Sequence, residues 1–211
     1  WSSDVCSSDL DTEAAREQFL TIGRALLETG INMNLAPVLD VAPDPSATFL
    51  GTRIISSDAQ VAADIGAAII QGLHDAGCLS TAKHFPGHGG TAADSHATTP
   101  VVDKSAGELR AYDLQPFAAA VEAGVDVVLV AHISYPALDA ENIATLSSAV
   151  ITDLLRGELG FTGIVMSDDF RMGGLTGQCP AGEAAVRFLL AGGDLILCGP
   201  RHDLQREIME G

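Results

Sequence analysis

Val125-Asp126-Val127-Val128-Leu129-Val130-Ala131-His132-Ile133 is nearly continuous in apolar residues, and its reading decides the fold. A run of this length and β-branched content reads as a strand covered on both faces, as strands in parallel sheets are. Its neighbours follow one pattern in both directions. Upstream, residues 12–29 carry a helical period stopped by Gly30, and residues 31–41 read as a strand running out into Ala42-Pro43-Asp44-Pro45. A second helix over 58–76 and a strand over 78–84 come next, then a helix over 104–123 that leads into the quoted stretch. Downstream, helices over about 147–159 and 181–191 precede strands over 163–166 and 194–197.

Strands alternating with helices predict βαβ units and a parallel sheet. A doubly wound sheet would concentrate its site at one switch point and usually show an early G-x-G-x-x-G, which the sequence lacks. Polar residues instead follow several successive strands: Asp40, Lys83-His84, His132 and Asp168-Asp169. Sites built from many strand ends characterise the (β/α)₈ (TIM) barrel, which is the expected fold class. Five strands are counted, and a whole barrel needs about 250 residues. The expectation is therefore an incomplete barrel over residues 11–211, with N-terminal strands and the C-terminal end missing.

Composition narrows the partners. Apolar residues make up 47% of the 211, the balance of an α/β protein rather than a disordered chain. A net charge of −17 argues against nucleic acid or an anionic membrane as partner. The four cysteines, Cys6, Cys78, Cys179 and Cys198, form no C-x-x-C pair or zinc spacing. No apolar stretch approaches the roughly 18 residues of a membrane span. Residues 1–10, Trp1-Ser2-Ser3-Asp4-Val5-Cys6-Ser7-Ser8-Asp9-Leu10, have no hydrophobic period and match a translated sequencing-library adapter codon for codon. They are expected to be non-native, which leaves open whether the protein works in the cytoplasm or outside the cell.

Chemistry concentrates in the loop after the second strand. Lys83, His84, His88, Asp94 and His96 fall within fourteen residues, interleaved with Gly87, Gly89 and Gly90. Such a loop could be a metal site of His88, Asp94 and His96, although no helix-borne zinc spacing is present, or merely a solvated loop. A second constellation, Ser167-Asp168-Asp169-Phe170, ends the strand over 163–166. A carboxylate there reads as catalytic or as a cap for the next helix.

Taken together these residues resemble glycoside hydrolase family 3, specifically its NagZ-type β-N-acetylglucosaminidases. The resemblance runs through Asn34-Leu35-Ala36-Pro37-Val38-Leu39-Asp40-Val41, Lys83-His84-Phe85-Pro86-Gly87-His88-Gly89 and Asp94-Ser95-His96. It continues through Ala131-His132, Leu154-Leu155-Arg156, Leu159-Gly160-Phe161 and Ser167-Asp168-Asp169. The resemblance implies a retaining hydrolase that removes terminal β-N-acetylglucosamine. Asp168 would be the nucleophile and His96 the acid/base, oriented by Asp94. Lys83, His84 and Arg53 would bind sugar hydroxyls. Asp169, His88 and His132 would support the structure. A muropeptide or chitooligosaccharide is the implied partner, and neither a metal nor a cofactor is implied.

A histidine suits the acid/base task, because its ordinary pKa near 6.5 lets it give and take a proton close to neutral pH. Two departures stand out. The family's upstream D-Q-E-G-G-R-V motif is absent. Arg53 lies in Gly51-Thr52-Arg53-Ile54-Ile55, where the family more often has an R-S-F-G-like string. Alternative readings are a family 3 β-glucosidase or glycoside phosphorylase, or a non-catalytic sugar-binding barrel.

Overall fold

The computed structural model describes residues 11–91, 93–95 and 97–210. The adapter-like residues 1–10 and the acid/base candidate His96 lie outside the described residues.

Helix α1 (Thr12–Glu28) starts at Asp11, whose carboxylate accepts the Glu13 and Ala14 N–H groups. Helix α2 (Ala59–Ala76) is capped in the same way by Asp58. Both use an acid to satisfy backbone donors that have no partner within the helix. The two helices pack closely, and Gly72 permits it: a Cβ there would collide with the Arg16 carbonyl.

Strands β1 (Thr81–Phe85), β2 (Val127–Val130) and β3 (Ile164–Ser167) form a parallel sheet in the order β1-β2-β3. Segment 31–41 lies against β1 through the bridges Met33–Leu79 and Val38–Lys83. Segment 194–197 lies against β3 through Met166–Leu195. Neither becomes the regular strand that the sequence predicts. Pro37 interrupts the first, because it has no N–H to give the ladder. In the second, the Asp194 carboxylate takes the Val165 N–H at 2.8 Å. The result is five successive parallel segments with helices packed against them. This is an α/β architecture consistent with a TIM-barrel-like domain, and its sheet does not close among the described residues.

Burial explains the opening stretch. Val128 and Val130 face the main core with Phe85, Phe117 and Val165. Val127 and Leu129 face the other way, packing with Met166, Met33, Leu35 and Leu197. β2 therefore has no wet face, as a continuous apolar strand requires.

The helix predicted over 104–123 is broken into α3 (Ala106–Glu108), a π-helical turn (Leu109–Asp113) and α4 (Gln115–Glu122). Pro116 in the first turn of α4 has no N–H to continue the preceding ladder. The next helix, Ala149–Glu158, is π-helical. Among the described residues two α-helices escape the sequence reading: α5 (Gly173–Thr176), a single turn, and α7 (His202–Glu210), which buries no residue. The helix between them, α6 (Ala181–Leu190), starts where expected.

The N-terminal ends of β1 and β2 are tied by one carboxylate. Asp126 accepts from Ser80 N at 2.8 Å, Ser80 Oγ at 2.9 Å and His74 Nε2 at 2.8 Å. Partial burial pushes its pKa up, but the Ser80 and His74 donors outweigh that and hold it below the usual carboxylate value. A depressed pKa stabilises the fold above the unfolded carboxylate's pKa, and the gain disappears as pH falls through the folded value. Asp126→Asn should therefore cost about 1–2 kcal/mol in urea unfolding at pH 7. The difference from wild type should shrink on acidification below pH ~4.

Candidate active site

The candidate site lies at the opposite, C-terminal edge of the sheet. It is organised around a carboxylate to which the sequence reading assigned no role. Asp40 is fully buried. One of its oxygens accepts the His88 N–H at 2.6 Å, and the other accepts His84 Nδ1 at 2.6 Å. The His84 N–H reaches both oxygens at 3.2 and 3.3 Å. Burial alone would raise the Asp40 pKa, but the charge and hydrogen bonds of His84 and the His88 N–H bring it below the ordinary value. An ionised carboxylate can only accept, so the His84 proton sits on Nδ1. In the neutral imidazole Nε2 is then the acceptor, and Arg53 Nη2 lies 3.5 Å from it.

The Lys83–His84 and Phe85–Pro86 peptides are cis. Lys83 is half-buried at the middle of β1. Burial and the nearby Arg53 charge lower its pKa, while Asp168 and Asp40 oppose that shift. Lys83, Arg53 and Asp168 therefore share one electrostatic environment. Lys83 comes from β1 and Asp168 follows β3, so they flank β2 on the sheet.

Asp168 is half-buried and follows directly on the last residue of β3. Its N–H donates to the Val130 carbonyl at 3.0 Å, and its Oδ1 accepts the Asp169 N–H at 2.8 Å. With Asp169, Arg171, Met172 and Leu197 it lines a cavity of about 370 Å³. Asp169 serves the turn instead: its carboxylate accepts Arg171 N at 3.0 Å and pairs with the Arg171 guanidinium. The capping alternative thus applies locally to Asp169.

The glycine-rich loop is held from several sides. Gly89 is irreplaceable on steric grounds, since a Cβ would strike the Val41 carbonyl. The Tyr135 hydroxyl donates to the Gly87 carbonyl at 2.9 Å. The buried Asp113, paired with Lys104 at 2.7 Å, packs beside Gly87. His88 is buried, with Nε2 3.0 Å from Ser95 Oγ and its ring 4.6 Å from that of Phe49. Burial lowers its pKa, which favours the neutral imidazole despite the Asp40 charge. The Ser95 carbonyl accepts the Gly174 N–H at 3.0 Å, joining this loop to the helix after Asp168.

Asp94 is exposed, and its backbone carbonyl accepts the Ala97 and Thr98 N–H groups at 3.1 and 3.2 Å. Among the described residues no group of three His, Cys, Asp or Glu side chains is placed to hold a metal. His84, Lys83, Arg53 and Asp168 are thus gathered at one edge. The sequence reading named Asp40 among the strand-end polar residues but assigned no role to it, nor to Ser95, Asp113 or Tyr135. Only Asp40 carried a signal, an acid ending an apolar run, which must find donors if buried.

The family model for the glycosyl hydrolase family 3 N-terminal domain matches residues 3–209. A beta-hexosaminidase from Stenotrophomonas maltophilia (strain K279a) is 42% identical over 176 residues, covering 82% of this chain and 51% of the relative. One from Idiomarina loihiensis is 36% identical over 196 residues, covering 92% of this chain and 58% of the relative. The solved glycoside hydrolase family 3 beta-N-acetylglucosaminidase from Paenibacillus sp. str. FPU-7 superposes with a TM-score of 0.92 at 42% identity. That match covers 95% of this chain and 38% of that one. The chain spans about half the length of the curated relatives it matches.

Replacing Asp40 tests the geometry directly. Asp40→Ala leaves the His84 and His88 donors buried without an acceptor and should cost at least about 3 kcal/mol in denaturant unfolding. A loss below about 1 kcal/mol would show that the carboxylate does not hold the loop.

Proposed function

The chain belongs to glycosyl hydrolase family 3, and from that premise we propose that it carries the catalytic machinery of a retaining β-N-acetylhexosaminidase. One observation carries the reading. Asp168 stands at the C-terminal end of the parallel strand β3, on a cavity of about 370 Å³, in the field of Lys83. Barrel-type enzymes place reacting groups at that edge.

In this reading Asp168 attacks the anomeric carbon, the glycosidic bond breaks, and a glycosyl ester forms on the carboxylate. His96 gives a proton to the leaving oxygen and then takes one from the water that hydrolyses the ester. Asp94 accepts an imidazole N–H and sets the tautomer, as the third member of a hydrolase triad does. Lys83, His84 and Arg53 bind sugar hydroxyls, with His84 Nε2 as acceptor and the two cations as donors. The Nδ1–H of His84 on Asp40 supports that division of roles, because in the neutral imidazole Nε2 is the acceptor. The names of the relatives support a hexosaminide as the glycone, and a muropeptide or chitooligosaccharide is the proposed source. Residues 11–211 are read as part of a (β/α)₈ barrel domain, and residues 1–10 as adapter-derived.

The test is a comparison of nitrophenyl N-acetylglucosaminide with nitrophenyl glucoside, each with and without phosphate. Preference for the hexosaminide and indifference to phosphate are expected; a phosphate-dependent rate would replace hydrolysis by phosphorolysis. His96→Ala should slow turnover of a substrate with a natural sugar leaving group by about 10²–10⁴. Wild-type turnover by that variant would refute the acid/base role.

A further inference from the structure

His132 ends the apolar stretch with which the sequence reading began, and nothing in the proposed chemistry uses it. It is fully buried, as is Thr145, which comes from a separate segment of the chain. His132 Nε2 lies 3.2 Å from the Asp169 carbonyl, and Nδ1 lies 2.8 Å from Thr145 Oγ1. A carbonyl only accepts, so Nε2 carries a proton. Thr145 Oγ1 also lies 2.7 Å from the Ala131 carbonyl, so the threonine links the imidazole to the end of β2.

The partner of Nε2 matters because of where Asp169 sits. Its N–H donates to Asp168 Oδ1 at 2.8 Å. Asp168 Oδ2 accepts no hydrogen bond from the described residues. Fixing the Asp169 carbonyl limits rotation of the residue whose N–H occupies one oxygen of the proposed nucleophile. The Asp168 N–H is fixed independently to Val130 at 3.0 Å, and the Asp169 carboxylate is held by Arg171. His132 therefore supplies the restraint on the buried side of the 168–169 segment. Phe170, the next residue, packs near the same imidazole with ring centroids 6.1 Å apart.

We propose that His132, seated by Thr145, is a positioning residue for Asp168. It holds the Asp169 backbone so that Oδ1 stays engaged and Oδ2 points to the reacting carbon. The role rests on the nucleophile reading of Asp168. It acts on attack geometry and makes no contact with sugar, so it should alter the rate of covalent-bond formation and leave sugar affinity intact. Misplacement of a reacting group by about an ångström can cost on the order of 10²-fold in rate.

The experiment traps the glycosyl-enzyme with an activated fluorinated sugar and follows labelling of the Asp168 peptide by mass spectrometry. It uses the full-length protein, and affinity for a non-hydrolysable thioglycoside is measured in parallel. His132→Phe removes the donor while keeping a ring. It should slow labelling by about 10- to 100-fold with affinity within about twofold of wild type. His132→Gln restores an N–H donor and should recover most of that loss. Labelling of His132→Phe at the wild-type rate overturns the role, as does a Gln variant no faster than Phe. Equal loss of labelling and affinity in both variants also overturns it, because that marks a general packing role. Absence of label on Asp168 in the wild type overturns the nucleophile reading itself, and this role with it.

Discussion

A carboxylate buried without compensation is among the costliest groups a protein can hold, and Asp40 is buried completely. It persists because β1 and the loop that follows deliver three donors to it: the His84 N–H, His84 Nδ1 and the His88 N–H. Relieving that cost requires the strand end and the loop to adopt one conformation. The same conformation sets His84 Nε2 toward Arg53 and packs His88 against Ser95. The geometry of His84 and His88 follows from the need to satisfy one buried acid.

The two ends of the sheet divide the work. At the N-terminal end Asp126 collects donors from His74 and Ser80 and ties β1 to β2. At the C-terminal end Asp168 keeps one carboxylate oxygen without a hydrogen bond from the described residues, and Lys83 is destabilised as a cation by burial. A half-buried lysine with a lowered pKa and a half-buried carboxylate in its field are what a binding edge offers to a neutral, hydroxyl-rich ligand. This separation of stability from chemistry is the barrel pattern, even where the sheet stays open.

Much of this was legible in the residues. The opening apolar run announced a strand covered on both faces, and Val127 and Val128 lie in clusters on opposite sides of it. The strand ends bearing Lys83, His84 and Asp168 were also readable, because polar residues at the ends of apolar runs are conspicuous. Regularity was not legible. Segment 31–41 pairs with β1 but is interrupted at Pro37, and the helix before β2 breaks near Pro116 into α and π turns. Nor were the supports. Asp113, Tyr135 and Thr145 act through distant partners, Lys104, Gly87 and His132, which only the folded chain brings near. Local patterns report which face a residue uses and not which remote atom it meets.

The proposed chemistry departs from the usual glycosidase arrangement, in which two carboxyl groups flank the bond, by giving the proton transfers to a histidine. With Asp168 as the nucleophile the reaction is a double displacement, which retains the anomeric configuration. The anomeric configuration of the first-formed sugar reports this step. Proton NMR of the full-length enzyme acting on a β-N-acetylglucosaminide should show the β-anomer appearing first, with the α-anomer growing in later by mutarotation. Initial release of the α-anomer would contradict the double displacement and, with it, the nucleophilic role of Asp168.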